Sequence, residues 1–344
     1  MIRLYNRGDE EFLKIMVSAC LTGDNCKYNG GNNRNEKVLK MMSGNETIPI
    51  CPEQMGGLPT PRVPSEICGG VVKSKDGRIV DGEFREGAAK CLEMAIREQP
   101  GLIVLQSRSP SCGVNQRYDG TFSGILTEGS GVTAQLLMEK GFPVVDVEDM
   151  LVTDRLILRK WTEDDAENLY SYAKDPEVGP IAGWPPHQNV EESREVIRNV
   201  FNGSEAYAIC LKTDNRAIGA IELKLNGHTD MTERDDECEL GYWLGKPFWG
   251  QGIVPEAARE ILRHAFEDIG MEKVWCGYYD GNTKSKRVQE KCGFRYQWTT
   301  EGLEVPLMHE KRTGHVNLMT KEEWKSSNKE AMVYNTSRFH FSQN

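Results

Sequence analysis

Short hydrophobic runs and amphipathic helical patterns alternate along the first half of the chain. The runs are four or five residues long, the length of a short buried strand, and they lie at 15–19 (IMVSA), 47–50 (TIPI) and 102–106 (LIVLQ). Apolar residues at helical spacing predict helices over 83–99 and over roughly 132–140. Strands that alternate with helices in this way predict a parallel sheet covered by helices.

The two predicted helices have recognisable faces and ends. The apolar stripe of the first helix contains Ala88, Leu92, Ala95 and Ile96, which are expected to face the core. The second helix is expected to end at Gly141, because glycine readily takes the left-handed conformation that follows a helix.

A new series of predicted elements begins near residue 150, and it includes an antiparallel hairpin. A strand is predicted over 156–159, followed by a helix with Thr162 as N-cap and Asp165 in the capping-box position. Residues 206–212 and 217–225 then predict an antiparallel hairpin with its turn at Asp214-Asn215.

The later part of the second half continues this mixed pattern. Residues 237–245 predict a further strand, and residues 256–269 predict a helix stopped by Gly270. The inward face of that helix is expected to contain Ala258, Ile261, Leu262, Ala265 and Phe266.

The chain of 344 residues is long enough for two domains. The restart of the pattern places the boundary near residue 150, which gives domains over 1–150 and 151–325 and a polar tail over 326–344. The predicted fold class is α/β, with a parallel-sheet domain first and an α+β domain after it.

Charge and hydrophobicity narrow the class of partner. The formal net charge is −10, which opposes non-specific nucleic-acid binding and favours small-molecule substrates. The sequence lacks the long apolar run of a membrane span, and its first residues lack the apolar core of a signal peptide. We therefore expect a cytoplasmic protein with neither nucleic-acid nor membrane partners.

Three cysteines share one context in the first domain. Cys20, Cys51 and Cys112 each lie at the exit of a predicted buried strand. The carboxyl ends of parallel strands share one edge of a sheet, so the three thiols are expected to meet in a crevice there. Three thiolates suit a soft metal or an iron–sulfur cluster. Zinc stays open as an alternative, although the paired spacing typical of structural zinc sites is absent.

The segments around these cysteines resemble a known family. VSACLTGDNCKYNG (17–30), CPEQMGGLPTPRVPSEI (51–67) and SRSPSCG (107–113) are similar to the 2-thiouracil desulfurases, over about residues 14–148. The resemblance implies a 4Fe–4S cluster held by Cys20, Cys51 and Cys112, with the fourth iron free of protein ligands. A thiolated pyrimidine is then the implied substrate, with the metal binding the leaving sulfur while water replaces it at carbon.

Acid–base and hydroxyl groups flank the predicted cluster site. Glu53, two residues after Cys51, is the candidate acid or base. Alternatively, Glu53 is only a solvated surface residue. The resemblance implies a functional serine near Cys112, for which Ser109 is the candidate and Ser111 the alternative.

Other polar and sulfur side chains in this domain have less specific roles. Arg62 and Glu66 either contact the pyrimidine or form a structural ion pair. Cys26 departs from the family pattern and is close enough in sequence to Cys20 to be an alternative or additional ligand. Cys68 and Cys91 are interpreted as packing residues.

A second chemical motif follows the strand over 237–245. The loop containing Gly250 and Gly252 leads into a helix, a junction that presents backbone N–H groups and the positive end of a helix dipole to an anion. It lacks the Gly-Lys-Ser/Thr of a P-loop and the full glycine pattern of a dinucleotide-binding turn.

This junction belongs to a set of motifs with a second family resemblance. Together with LVTDRLILRKWTEDDAENL, DGNTKSKRVQEKCGF and VNLMTKEEW, it is similar to the GNAT acetyltransferases, in the ribosomal-protein N-acetyltransferase branch (RimJ/RimL type), over roughly 151–325. The resemblance implies acetyl-CoA as cosubstrate and an amine acceptor, either a small molecule or a protein N-terminus. The implied cofactor-binding residues are Leu244, Trp249, Gly250, Gln251, Gly252, Ile253, Val254 and Asn282.

Two further residues are assigned to acetyl transfer. Glu239, on the strand before the loop, is the candidate base for the attacking amine. Alternatively, Glu239 is only an outward-facing strand residue. By resemblance, Ser285 helps to protonate the thiolate leaving group. His228, His264 and His315 show no metal-binding spacing.

Three functional hypotheses follow from the sequence. The chain is a bifunctional desulfurase and acetyltransferase, or an acetyltransferase whose cluster domain acts as a sensor or docking module, or a non-catalytic binder of small ligands. The three cysteines together with Glu53 favour the first.

Overall fold

The computed structural model describes residues 5–7, 10–229 and 231–327. The chain divides into two compact units. The first runs through Arg159 and includes Cys210–Asn215, and the second comprises Lys160–Ile209 and continues from Arg216. The predicted tail over 326–344 lies outside the described residues from residue 328 onward. No described helix is both long and apolar enough to cross a membrane.

Within its described residues, the first unit contains twelve short strands and five α-helices. The strands are β1 (Tyr5–Arg7), β2 (Glu10–Phe12), β3 (Lys14–Ser18), β4 (Glu46–Ile50), β5 (Ser65–Cys68), β6 (Val71–Ser74), β7 (Leu102–Leu105), β8 (Gln116–Tyr118), β9 (Leu126–Glu128), β10 (Val144–Asp146), β11 (Met150–Val152) and β12 (Leu156–Arg159). The helices are α1 (Ala19–Thr22), α2 (Glu36–Met42), α3 (Pro52–Met55), α4 (Asp81–Glu98) and α5 (Val132–Glu139).

The central sheet of the first unit has the strand order β10-β7-β3-β4, and every pairing within it is parallel. β3 and β7 are buried along their whole length, as expected for strands covered on both faces. The sequence therefore predicted the parallel sheet, its three strands and both helices correctly, but the burial expected for 47–50 is wrong, because β4 is an edge strand in which only Ile50 is buried. The predicted end of the second helix is confirmed as well, because Gly141 follows α5 with φ near +76°.

The predicted inward face of α4 is wrong at one position. Ala88 and Ala95 are buried, but Ile96 is 56% exposed. The buried stripe instead runs through Phe84, Ala88, Cys91 and Ala95. These four positions repeat at helical spacing, and Ile96 falls outside that stripe.

The second unit is built around a mixed sheet. Its strands are β13 (Ala206–Leu211), β14 (Ala217–Lys224), β15 (Glu237–Leu244), β16 (Lys273–Tyr279), β17 (Arg295–Val305) and β18 (Glu310–Thr320), in the order β13-β14-β15-β16-β18-β17. Its helices are α6 (Ala166–Ala173), α7 (Gly179–Ala182), α8 (Val190–Asn199), α9 (Ile253–Arg263) and α10 (Thr283–Cys292), and residues 321–327 are also helical.

Local signals in the second unit were interpreted correctly from sequence. Thr162 and Asp165 form the predicted capping box ahead of α6. The five residues predicted to face inward from 256–269 are all buried. That helix begins earlier than expected, at Ile253, because Gly252 takes a left-handed conformation as its N-cap.

One strand pair in this sheet separates. β15 and β16 pair in parallel where Glu237–Glu239 faces Lys273–Trp275. Beyond that point β15 stays with β14 as far as Leu244, whereas β16 stays with β18. The two strands therefore open a wedge in the middle of the sheet.

Candidate active sites

The carboxyl ends of three neighbouring parallel strands carry the predicted cysteines. Cys20 lies in α1 just after β3, Cys51 directly follows β4, and Cys112 lies in the loop after β7. β7, β3 and β4 are consecutive in the sheet, so the three residues occupy one edge of it. The predicted placement at one sheet edge is confirmed, whereas the meeting of the three thiols in a crevice stays a prediction.

A fourth cysteine lies among them. The Cys51 thiol donates to the Cys26 carbonyl oxygen at 3.8 Å. Interaction with the Cys20 thiol, together with burial, raises the pKa of Cys26 to about 11. Interaction with the Cys26 thiol, followed by burial, raises the pKa of Cys51, and burial raises the pKa of Cys112. The thiols of Cys26, Cys51 and Cys112 therefore keep their protons at neutral pH unless a metal displaces them.

The donor set fits an iron–sulfur cluster. No three His, Cys, Asp or Glu side chains among the described residues converge as ligands of a single metal ion. In a 4Fe–4S cluster each thiolate binds its own iron, so the thiols surround the metal centre instead of converging on one point. Buried sulfur donors grouped at one sheet edge meet this requirement, and soft thiolate ligands are those that iron–sulfur clusters use.

Glu53 is not a solvated surface residue. It lies in α3, its side chain is 16% exposed, and its Oε2 accepts a hydrogen bond of 2.6 Å from Arg62 Nε. Arg62 also donates to the carbonyl oxygen of Cys26 at 2.9 Å. The ion pair predicted for Arg62 therefore forms with Glu53, and it connects the candidate acid–base residue to the cysteine loop.

Glu66, the other acidic residue of that segment, has a structural role. Its Oε2 accepts hydrogen bonds from the backbone N–H groups of Gly120 and Phe122 at 2.9 and 3.0 Å. It therefore fixes a loop.

The two serines before Cys112 have different surroundings. Ser109 is half-buried, and its Oγ accepts hydrogen bonds from the backbone N–H groups of Ser111 and Cys112, each at 3.1 Å. Ser111 is fully buried, with its Oγ 2.9 Å from the Thr133 hydroxyl. Ser109 is therefore the serine that positions Cys112 and keeps a proton to donate.

A close helix contact fixes the position of Cys51. α3 begins immediately after Cys51 and crosses α4 where Gly56 faces Gly87. A Cβ atom on Gly87 would lie 1.9 Å from the carbonyl oxygen of Pro52, and one on Gly56 would lie 1.9 Å from that of Glu83. The crossing therefore requires glycine on both sides, and it sets where α3 holds Cys51 and Glu53.

The second unit holds a cavity of about 910 Å³ beside the wedge. Of the predicted cofactor residues, the cavity is lined by Leu244, Trp249, Gly250, Gly252, Ile253, Val254 and Asn282, together with Ser285. Gln251 does not line it, and its side-chain amide donates to the Pro247 carbonyl oxygen at 2.9 Å.

The cavity is suited to an anionic ligand. The first turn of α9 points its backbone N–H groups toward the N-terminal end of the helix, where Gly250 and Gly252 both have positive φ. Four basic side chains also line the cavity: Lys284, Arg287, Lys291 and Arg312. Lys284 Nζ lies 3.5 Å from the centre of the Trp249 ring.

Ser285 belongs to a chain of buried polar groups. Its Oγ lies 2.9 Å from the Tyr242 hydroxyl and accepts from Gln289 Nε2 at 3.2 Å. Gln289 in turn accepts from Asn317 at 2.6 Å. Asn282 caps α10 by accepting from the Ser285 N–H at 3.1 Å, and it also lines the cavity. Burial raises the pKa of Tyr242 well above its usual value.

The candidate base Glu239 is buried and has two partners. Lys224 Nζ lies 3.0 Å from one carboxylate oxygen, and the Thr229 hydroxyl donates to the other at 2.6 Å. It is not among the residues that line the cavity. Glu222 lies on the same sheet face, opposite Gly241, and burial raises its pKa. Glu222 was not singled out from sequence, although the period of two along β14 places it on the face of Lys224.

Trp243 is a second residue that sequence reasoning missed. Its indole Nε1 is buried and has no hydrogen-bond partner in the described part of the chain, and the residue lines the cavity. A buried indole N–H normally has an acceptor, so this donor is suited to a ligand oxygen. No sequence signal distinguishes it from a packing tryptophan.

Comparison with known proteins gives one family for each part of the chain. Residues 15–149 match 2-thiouracil desulfurase, and residues 155–295 match the acetyltransferase (GNAT) domain. Over 146 residues the chain is 39% identical to the uncharacterized protein YbbK of Bacillus subtilis. The aligned region covers 40% of this chain and 97% of YbbK.

Two further similarities are found. A solved structure described as a [4Fe-4S]-dependent thiouracil desulfidase, TudS, is 34% identical, with 40% of this chain and 92% of that chain covered and a TM-score of 0.39. The putative ribosomal N-acetyltransferase YdaF of Bacillus subtilis is 36% identical over 110 residues, which are 32% of this chain and 56% of YdaF. On the family matches and the similarity to YbbK, the chain belongs to the 2-thiouracil desulfurase family through its first domain and carries a GNAT acetyltransferase domain after it.

Proposed function

We propose that the chain is a bifunctional enzyme. Its first domain desulfurates a thiolated pyrimidine such as 2-thiouracil with a 4Fe–4S cluster held by Cys20, Cys51 and Cys112. Its second domain transfers the acetyl group of acetyl-CoA to an amine, on a small molecule or a protein N-terminus. The observation that carries the first activity is the grouping of these thiols at the ends of adjacent parallel strands.

When bound, a cluster with one iron free of the three cysteines supplies a Lewis-acidic position for a thiocarbonyl sulfur. Glu53 accepts the proton of the attacking water. Arg62 engages its Oε2, which leaves Oε1 to take that proton. Ser109, whose Oγ is held by two backbone N–H groups, donates a hydrogen bond to the substrate and keeps its proton.

In the second domain, one group of residues binds acetyl-CoA and another transfers protons. Backbone N–H groups from Trp249 to Val254 bind the pyrophosphate of acetyl-CoA, and the basic side chains of the cavity neutralise its charge. Ser285 donates a proton toward the departing thiolate, supported by Tyr242. The acceptor amine loses its proton to the acidic pair of Glu239 and Glu222.

Within that acidic pair we assign the two carboxylates different tasks. Lys224 and the Thr229 hydroxyl engage the two carboxylate oxygens of Glu239. Burial raises the pKa of Glu222, and we assign to Glu222 the task of accepting the proton of the amine. Glu239 then fixes the position of Lys224.

Anaerobic turnover tests the first activity. The full chain, reconstituted with iron and sulfide, is expected to convert 2-thiouracil to uracil with release of sulfide. Replacement of Cys20, Cys51 or Cys112 by Ala is expected to abolish it, whereas Cys91→Ala, which removes a buried thiol on α4, is expected to retain it. An intact cluster without turnover would instead support the sensor or docking hypothesis.

Binding of acetyl-CoA tests the second activity. Isothermal titration of the full chain is expected to show heat with acetyl-CoA, and Lys284→Glu is expected to weaken binding because it reverses a charge in the cavity. Lys325→Glu, on the exposed helical end of the described chain, serves as the matched control. Absence of heat and of any thermal shift would remove the acetyltransferase proposal.

A further inference from the structure

We propose that Gln289 is a positioning residue of the acetyltransferase site. Its side-chain amide occupies an acceptor position of the Ser285 hydroxyl oxygen, and this leaves the Ser285 proton to point toward the sulfur of bound acetyl-CoA. This role rests on the proposed acetyltransferase function and adds to it the residue that sets the direction of that proton.

Gln289 is buried in a helix that otherwise lies at the surface. It is the only buried residue of α10, and its exposed fraction is 0%. A helix position that faces the protein interior is normally apolar, because burial of an amide is costly unless its donors and its acceptor are bonded. The hydrogen bonds of this amide therefore explain why glutamine occupies the position.

Three contacts fix the orientation of the Gln289 amide. Its Nε2 donates to the Gly277 carbonyl oxygen at 3.1 Å, and its Oε1 accepts from Asn317 Nδ2 at 2.6 Å. The reversed amide would place two oxygens against each other at Gly277, since a carbonyl oxygen only accepts. The nitrogen therefore lies on the side of Gly277, and its second proton is available to Ser285 Oγ, which is 3.2 Å away.

The Ser285 hydroxyl can accept two hydrogen bonds and donate one. Gln289 Nε2 only donates, so it always occupies one acceptor position. The Tyr242 hydroxyl lies 2.9 Å from Ser285 Oγ and 3.2 Å from the Ser285 carbonyl oxygen, and it fills the second position when it donates to Oγ. Both acceptor positions are then filled, and only the proton of Ser285 is left for a ligand.

The cavity receives that proton. Ser285 and Tyr242 line the cavity assigned to acetyl-CoA, whereas Gln289 does not, so Gln289 acts on the ligand through Ser285. A proton turned toward the ligand sulfur stabilises a thiolate, because hydrogen bonds to the charged form of an acid lower its pKa. We therefore expect the thiol of bound CoA to have a lower pKa than the thiol of free CoA, with Gln289 responsible for part of the difference.

The pKa of the bound CoA thiol tests this role without any acceptor amine. The ultraviolet absorption of the thiolate is followed as pH rises, as the difference between the complexes with CoA and with acetyl-CoA. Gln289→Met keeps nearly the length of glutamine without its amide, and it is expected to raise the pKa of the bound thiol by about 0.5 to 1 unit. Its affinity for acetyl-CoA is expected to be unchanged. Gln297→Met, on the exposed strand β17, is the matched control.

Ser285→Ala separates positioning from packing. It is expected to raise the pKa of the bound thiol at least as much as Gln289→Met, which is expected to add nothing in the Ser285→Ala background. Gln289→Leu serves as a second variant if the methionine variant folds poorly. An equal pKa in parent and Gln289 variants, or a shift that adds to that of Ser285→Ala, would overturn the inference while leaving the acetyltransferase proposal in place. A parent chain that binds neither CoA nor acetyl-CoA would overturn both.

Discussion

The ion pair of Glu53 and Arg62 is the residue-scale feature on which the proposed proton transfer depends. Glu53→Gln keeps the shape and one hydrogen bond to Arg62, so cluster content is expected to be unchanged. The turnover number for 2-thiouracil is expected to fall by about 10²- to 10⁴-fold, because an amide cannot accept the proton. Glu36→Gln, on the exposed first turn of α2, is the control. Unchanged turnover in Glu53→Gln would remove Glu53 from the mechanism.

The acidic pair of the acetyltransferase site gives a prediction for pH dependence. Because burial raises the pKa of Glu222, its basic form is lost as pH falls through that raised value, and acetyl transfer is expected to slow over the same interval. Glu222→Gln is expected to lower kcat by at least about 10²-fold and to remove the slowing of acetyl transfer at low pH. Glu239→Gln is expected to keep that slowing. The reverse result in the two variants would make Glu239 the base.

Some residues of the two candidate sites could be predicted from the sequence, and others could not. Cys20, Cys51 and Cys112 were predictable because each ends a hydrophobic run, a local signal. The partners of Glu239 and the orphaned N–H of Trp243 were not, because cross-strand neighbours depend on register and on long-range packing. Arg62 was expected to form an ion pair, but its partner was visible only in three dimensions.

At the scale of elements, the crossing of α3 and α4 positions Cys51 and Glu53 of the proposed cluster site. Gly87→Ala is expected to destabilise the first domain by more than about 2 kcal/mol, because the new methyl group meets the backbone of Pro52. The same change moves α3, so cluster content is expected to fall. Gly82→Ala, in the same helix with open space around it, is expected to be neutral or stabilising. Normal cluster content in Gly87→Ala would show that the crossing does not position Cys51.

The C-terminal end of α9 supplies a stability prediction with a defined sign. Burial lowers the pKa of His264, but hydrogen bonds to Glu205 and Asp268 outweigh it and leave the pKa raised. The stabilisation is therefore present below about pH 6.5, the unfolded value, and is lost as pH rises through the raised folded value. The thermal midpoint of the parent is expected to fall over that interval, and His264→Asn is expected to flatten the profile.

A surface histidine provides the control for that experiment. His309 is exposed, and its positive φ is one that Asn tolerates, so His309→Asn is expected to leave the pH profile of the midpoint unchanged. A His264→Asn profile that retains the parent's slope would show that another group causes it.

Elements were predicted well where a local sequence pattern determines them. They were predicted poorly where tertiary contacts determine which face is buried or where strands separate. Strand runs, the Thr162 capping box and the inward face of α9 follow from nearest neighbours in sequence. The face of α4 was misassigned at Ile96, because the buried stripe is set by what packs on the helix and not by the hydrophobic residues alone. The wedge between β15 and β16 has no sequence signal, since it depends on where each strand changes partners.

At the scale of the whole molecule, the chain joins two domains whose proposed ligands differ. The first domain collects buried thiols at a parallel sheet edge, and the second presents basic side chains and a helix N-terminus to an anion. Each set lies within its own compact unit. Loss of one activity through a point substitution in its site is therefore expected to leave the other measurable in the same chain.

The central claim is that the thiols of the first domain hold an iron–sulfur cluster. Iron and acid-labile sulfide analysis of the anaerobically reconstituted full chain tests it most directly. The account predicts about four irons and four sulfides per chain, with both contents lost in Cys51→Ala and kept in Cys91→Ala. A protein that binds zinc without sulfide, or that has equal iron content in both variants, would contradict it.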